Sequence, residues 1–159
     1  MTAEEARCLL QTDGVAQHVL SLPLMARLAY TWRDGSPRVV PMWFHWTGTE
    51  LLMGAPPNSP KMKVLTLRPQ VAVSIDTVEW PYQWLTIRGT AVVQVSEEPF
   101  AEYLAMARRY LGEAGGKQFL TALQQKFHGW ARIAIRPHEV RILDFQGRFP
   151  SAWSAGAGG

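Results

Sequence analysis

The amino-acid sequence predicts a mainly β protein, a closed or nearly closed antiparallel barrel with peripheral helices. The chain has 159 residues, of which 47% are hydrophobic and 18% charged, which is enough for one continuous core. Short segments rich in Val, Ile and aromatic residues follow one another with brief turns between them, and helical patterns occur only at the start and late in the chain. We therefore expect one domain over residues 1–153 and a flexible, Gly- and Ala-rich tail over residues 154–159.

The first elements are a short helix and a hairpin. Thr2-Ala3-Glu4-Glu5 has the form of a capping box, which predicts a first helix. Residues 24–32 and 38–46 flank the turn residues Asp34-Gly35, so we expect them to form the two strands of a hairpin. Residues 50–55 add the third strand of an antiparallel meander.

The later part of the chain contains both strands and helices. Ser96 is predicted to cap a helix that stops at Gly112. The other predicted elements are strands over residues 71–77, 84–95, 130–135 and 140–145, and a helix over residues 117–127.

The segment 38–46 is apolar on both faces when its residues alternate along a strand. A barrel strand normally has polar residues outside, so we expect another subunit, a flat ligand or both to cover this one. Pro41 cannot donate a hydrogen bond to a neighbouring strand. It therefore marks a strand edge, a bulge or a place where a ligand meets the backbone.

A candidate anion site lies in Ser59-Pro60-Lys61-Met62-Lys63, where a loop opens a short helical turn. A hydroxyl, two ammonium groups and the free N–H groups of a helix start can converge on one anion, which is the chemistry of a phosphate site. The alternative is an ordinary solvated basic turn. We call Ser59, Lys61 and Lys63 the phosphate seat.

Composition argues against several other functions. The net charge is +3 and the basic residues are scattered, which favours a local anionic ligand over nucleic acid. The apolar runs are too short to span a membrane, and the acidic N-terminus lacks the pattern of a secretory signal. Cys8 is the only cysteine, which fits the cytoplasm, and we expect it to be a packing residue. The four histidines have no ligand-pair spacing, so no metal site is expected. We expect His45 to be a core or interface residue rather than a base.

Several segments resemble the pyridoxamine 5′-phosphate oxidase-like, FMN-binding split-barrel family. They occur in the family's order and cover residues 24–145, most of the chain. The matching segments are Leu28-Ala29-Tyr30-Thr31 with Asp34-Gly35-Ser36-Pro37, Val39-Val40-Pro41-Met42-Trp43-Phe44-His45-Trp46, Ser59-Pro60-Lys61 through residues 67–76, Leu85-Thr86-Ile87-Arg88-Gly89-Thr90-Ala91 and Ala131-Arg132-Ile133-Ala134-Ile135-Arg136-Pro137.

The resemblance implies a homodimer of antiparallel split β-barrels that binds two flavin cofactors at the subunit interface. It also implies which residues hold each cofactor. Those matching the strand along the flavin ring are Val40, Pro41, Met42 and Trp43, and those matching the phosphate site are Ser59, Lys61, Met62 and Lys63.

The chain departs from pyridoxamine phosphate oxidases at two places. Trp43 stands where a flavin-contacting lysine is expected, and Gly147-Arg148-Phe149-Pro150 does not match the oxidase's substrate signature. The sequence is more similar to short bacterial members of the superfamily, some of which use FMN and others the deazaflavin F420. We therefore expect an FMN-dependent oxidoreductase with a small-molecule substrate. The alternatives are an F420-dependent reductase and a protein that binds flavin or haem without turnover.

Overall fold

The computed structural model describes residues 1–150, which form seven strands and four helices. The helices are α1 (Ala3–Thr12), α2 (Gly14–Ser21), α3 (Pro60–Leu67) and α4 (Ala101–Lys126). The strands are β1 (Ala26–Thr31), β2 (Pro37–Met42), β3 (His45–Trp46), β4 (Leu51–Ala55), β5 (Gln70–Asp76), β6 (Gln83–Ser96) and β7 (Trp130–Asp144).

The seven strands form one antiparallel sheet in the order β2-β1-β5-β6-β7-β4-β3. The two edge strands, β2 and β3, are separated in sequence by only Trp43 and Phe44. Such a link spans at most about 11 Å, whereas a flat sheet of this size would hold its edges about 29 Å apart. The sheet must therefore curl until its edges approach each other, which confirms the predicted barrel with peripheral helices.

The barrel interior is filled by alternating apolar side chains. Val73 and Ile75 of β5 and Ile87 of β6 are almost completely buried, as expected for strands with one face on a core. Phe44, in the link between the two sheet edges, is fully buried as well. The core therefore reaches the point where the barrel closes.

The predicted strand over residues 38–46 is broken in the structure, which corrects that expectation. β2 ends at Met42, and the backbone of Phe44 bonds to side chains of α4 instead of to a strand. The Phe44 N–H donates to the Tyr110 hydroxyl at 3.2 Å, and the Arg109 guanidinium donates to the Phe44 carbonyl. Of the three positions expected for Pro41, the structure shows a strand edge, because β2 is an edge strand.

Other corrections concern element boundaries. Asp13 caps a second helix, α2, through the N–H groups of Val15 and Ala16. Ser96 belongs to β6 and does not cap α4, which begins at Ala101. The two strands predicted over residues 130–145 form the single strand β7, which pairs with β6 through a bulge at Arg88/Gly89. Cys8 is exposed and is therefore not a packing residue.

Gly112 breaks α4 into two arms, as predicted. Its φ of 77° and ψ of 178° are not helical, so residues 101–111 and 113–126 run in different directions. The arms then pack closely, since a Cβ on Gly116 would lie 2.9 Å from the backbone nitrogen of Arg108. This sharp bend gives α4 two walls that face the barrel. The predicted tail over residues 154–159 lies outside the described residues.

Candidate functional site

The phosphate seat lies at the start of α3, where Ser59 is the N-cap and Pro60 the first helical residue. The Ser59 hydroxyl makes no capping hydrogen bond. The N–H groups of Ser59 and Met62 are occupied, because they donate to the carbonyls of Pro56 and Ser59, each at 3.0 Å. Over residues 1–150, the Lys61 N–H pairs with no backbone carbonyl. A free hydroxyl and a free N–H therefore stand at the positive end of the helix.

Lys61 is the most distinctive charged group of the phosphate seat. Its side chain is partly buried, and this burial lowers the pKa of its ammonium group from the usual value. Within the described chain no carboxylate forms an ion pair with it. A partly desolvated cation without a counter-ion favours the approach of an anion.

The other two predicted residues of this segment lie differently. Lys63 is exposed, so its ammonium group is free to reach a bound anion. The Met62 side chain is 4% exposed and packs in the hydrophobic core. The polar groups available for a phosphate are therefore those of Ser59, Lys61 and Lys63.

The residues expected along a flavin ring are divided between the two faces of β2. Val40 and Met42 pack partly against the core, whereas Pro41 is exposed. Val39 on the same outer face is 62% exposed. β2 is thus an edge strand whose outer face exposes Val39 and Pro41.

Trp43 turns away from β2 and packs on α4. Its ring stacks on Tyr110 with a centroid distance of 4.8 Å and an interplanar angle of 7°, and it lies 5.0 Å from Phe119 on the second arm. Tyr110 is itself held in place, because its hydroxyl donates to the Leu24 carbonyl at 2.5 Å. Trp43 is therefore fixed between the barrel closure and both arms of α4.

Trp43 also lines a cavity of about 260 Å³ between α4 and the sheet. The other walls come from residues 54–57, from both arms of α4 and from Gly129 and Trp130. Because Pro56 and Pro57 lead directly into Ser59, the cavity connects Trp43 with the loop that carries the phosphate seat. The structure thus brings together one predicted ring residue and the approach to the predicted phosphate residues.

Tyr103 forms one wall of this cavity, and its hydroxyl both accepts and donates a hydrogen bond to the backbone. Its hydroxyl accepts from the Ala55 N–H at 3.2 Å and donates to the Ala131 carbonyl. Burial raises the pKa of Tyr103 to about 12, so the hydroxyl remains protonated at physiological pH. A Cβ at Gly54 would lie 2.8 Å from the Tyr103 ring, which explains a glycine at this position.

The cavity was not anticipated from the sequence, although a signal for it exists. Tyr103, Met106, Ala107 and Tyr110 recur at helical spacing and mark one apolar face of α4. Aromatic residues on such a face usually fill a core. The spacing of these apolar residues does not predict the bend at Gly112, which opens the space.

Arg109 and His45 occupy the barrel closure. The Arg109 guanidinium lies 4.4 Å from the Phe44 ring centroid, and its buried Nε makes no hydrogen bond within residues 1–150. Burial and then the Arg109 charge lower the pKa of His45, while Glu102 opposes them. These effects favour the neutral imidazole, and they fit the expectation of a partly buried structural histidine.

In the described part of the chain, no group of three or more His, Cys, Asp and Glu side chains is placed to hold a metal ion. Over the same residues, no helix has the length and apolar character needed to cross a bilayer.

The fold and the site define a class of split-barrel proteins with a candidate phosphate site at a helix start. The chain belongs to the pyridoxamine 5′-phosphate oxidase family, whose model matches residues 13–144. A comparison with curated proteins found no match.

Solved structures share this fold. An F420 reductase is 27% identical, with a TM-score of 0.61 over 79% of this chain and 94% of that protein. A conserved hypothetical protein of Mycobacterium tuberculosis is 18% identical, with a TM-score of 0.61 over 92% and 86% of the two chains. The haem storage protein HutZ of Vibrio cholerae is 15% identical, with a TM-score of 0.60 over 83% and 94%. The last two show similarity of fold alone.

Proposed function

We propose that this protein is an oxidoreductase that binds a flavin-type cofactor, FMN in the first instance, and acts on a small-molecule substrate. The observation that supports this function best is the phosphate seat. Lys61 is a partly buried cation without a counter-ion in the described chain, beside a hydroxyl that caps nothing. Membership of the family gives such a seat a natural ligand, the phosphate of the cofactor.

The proposal assigns binding and orientation to the chain's own residues. Ser59, Lys61 and Lys63 hold the phosphate, and the backbone of Val40, Pro41, Met42 and Trp43 lies along the ring system. The Trp43 side chain stays packed on α4. When bound, the flavin supplies hydride transfer, so the protein needs no acid or base beside it. Within residues 1–150 no carboxylate forms an ion pair with Lys61, so its charge is available to the phosphate.

A homodimer forms part of the proposal. The outer face of β2 exposes Val39 and Pro41 on an edge strand, and such an edge requires cover to avoid uncontrolled association. A second copy of the chain supplies that cover and brings a second surface to the ring segment. The proposal also includes a cytoplasmic location, because a chain with one cysteine has no need of an oxidising compartment.

An F420-dependent reductase is the second candidate, favoured by the 27% identity to a protein of that name. FMN and F420 both carry a phosphate and a planar tricycle, so the phosphate seat accommodates either. Binding of flavin or haem without turnover is the remaining alternative.

The test has two steps. The spectrum and mass of the molecule that co-purifies with the protein are determined first, and the affinities for FMN and F420 are then measured by fluorescence titration. Next, the FMN-loaded protein is mixed anaerobically with NADH and NADPH, and the apoprotein with reduced F420 and a panel of acceptors. Bleaching of FMN supports the first function, and oxidation of F420 supports the second. Stoichiometric cofactor with neither reaction would overturn the oxidoreductase proposal in favour of a binding protein.

A further inference from the structure

The cavity under α4 differs in chemistry from the phosphate seat and needs its own explanation. Among residues 1–150, five aromatic side chains and no charged residue line it. Tyr103 brings a hydroxyl to the wall, but both of its hydrogen bonds are made to the backbone. The walls therefore provide aromatic faces and edges instead of charge.

The size of the cavity limits its occupant. A dry cavity of about 150 Å³ with apolar walls holds benzene in another protein. The volume here is about 260 Å³, which is larger than one ring needs and small for a drug-sized ligand. One or two fused rings match this space.

The cavity is accessible from the surface. Phe127 at the end of α4 is 41% exposed, and Pro56 on the opposite wall is exposed as well. The deeper wall is formed by Ala107 and Trp130, which are 1% and 6% exposed. The cavity therefore has an exposed end at Phe127 and a buried end at Ala107 and Trp130.

We propose that this cavity binds a small, neutral aromatic molecule of one or two fused rings, separately from the cofactor. A neutral ligand is required because no wall residue can compensate for the desolvation of an ion. An aromatic ligand is favoured because ring edges and faces surround the space. Binding does not depend on the proposed function, but the role of this ligand as substrate does.

The test uses calorimetric titration of the cofactor-free protein with indole as the probe. Wild type should bind one indole per chain. Leu123→Trp places a larger side chain in the cavity and should weaken binding at least tenfold, whereas Leu111→Trp, on the exposed outside of α4, should change it less than twofold. Nitrobenzene and benzoate form a matched neutral and charged pair, and benzoate should bind at least tenfold more weakly.

Several results would overturn the proposal. They are the absence of heat with indole up to its solubility limit, equal affinities for the two Trp variants, equal affinities for nitrobenzene and benzoate, or loss of indole binding in the presence of saturating FMN.

If Leu123→Trp does not fold, Ala107→Leu fills the same space from the deep wall. Contacts between indole and the ring protons of Trp43 or Trp130, measured by nuclear Overhauser effects, check the location in wild type. The main titration with indole contains no FMN. Its result can therefore be interpreted even if the protein does not bind FMN.

Discussion

The start of α3 and the cavity under α4 are joined by residues 54–59, yet their polar groups are satisfied in opposite ways. At α3 the Ser59 hydroxyl caps nothing and the Lys61 ammonium has no counter-ion in the described chain. In the cavity the Tyr103 hydroxyl is already bonded to two backbone groups. The first region is suited to a charged group that arrives from outside, and the second to a neutral one. Removal of a polar group should therefore weaken ligand binding in the first region and destabilise the fold in the second.

The largest effect is expected from a substitution in the edge strand β2, which should weaken FMN binding without changing indole binding. Val39→Lys places a charge on the exposed apolar face and should convert a dimer into a monomer. Because the proposed cofactor site is shared between subunits, FMN affinity should fall at least tenfold, while indole affinity should stay unchanged. Light scattering and titration measure these effects, with Val95→Lys as a control at an equally exposed valine. A wild-type protein that is monomeric at micromolar concentration and still binds FMN tightly would contradict the shared site.

Tyr103→Phe should mainly affect the stability of the cavity wall. It leaves the Ala55 N–H and the Ala131 carbonyl without their partner, so the free energy of unfolding should fall by about 2–4 kcal/mol. Urea denaturation measures this change. Tyr82→Phe removes a hydroxyl from an exposed ring and should cost less than about 0.5 kcal/mol. Equal stabilities of the two variants would show that the Tyr103 hydrogen bonds do not hold the wall.

Ser59→Ala should affect FMN binding more than the stability of the fold. The hydroxyl makes no capping bond, so the free energy of unfolding should change by less than about 0.5 kcal/mol. FMN binding should weaken by about 1.5 kcal/mol, the lower end of the range for a hydrogen bond to a charged group. Thr2→Ala provides the contrast, since Thr2 caps α1 and its loss should cost about 1 kcal/mol of stability without an effect on FMN. Destabilisation by Ser59→Ala with unchanged FMN affinity would reverse the assignment.

The smallest effect concerns His45 at the barrel closure. Its pKa is lower in the folded protein than the ordinary 6.5, so the unfolded chain takes up a proton more readily. The free energy of unfolding therefore decreases as pH falls from about 6.5 toward the folded pKa. Above that range the protonation of His45 does not change the stability. His45→Asn should flatten the pH dependence of the unfolding midpoint relative to wild type. Parallel profiles for His45→Asn and wild type would contradict the burial effect.

Local patterns predicted most of the fold but not its closure. Alternation and turn residues place β5 and β6 correctly, and Gly112 marks the break in α4. The end of β2 could not be predicted, because it depends on bonds from Arg109 and Tyr110, which follow Phe44 by 65 and 66 residues. The bulge at Arg88/Gly89 likewise appears only when β6 pairs with β7.

The candidate site also has one part that the sequence predicts and one part that it does not. Ser59, Lys61 and Lys63 are neighbours in sequence, so a local pattern is sufficient to propose them. The cavity requires Trp43, both arms of α4 and Trp130 to meet, and their contact results from the fold. The burial of Met62 in the core also depends on the tertiary fold. Its sequence position alone is compatible with either a loop or a buried helix face.

The central claim is that Lys61 holds an anionic group of the cofactor and contributes nothing to the fold. Lys61→Ala is compared with wild type and with Lys117→Ala, which removes an exposed lysine paired only with Glu113 on α4. We expect FMN affinity to fall by about 1.5–3 kcal/mol for Lys61→Ala, as for a charge-assisted hydrogen bond, while the melting temperature of the cofactor-free protein does not decrease. Lys117→Ala should leave FMN affinity unchanged. Unchanged FMN affinity for Lys61→Ala would remove the phosphate seat from α3.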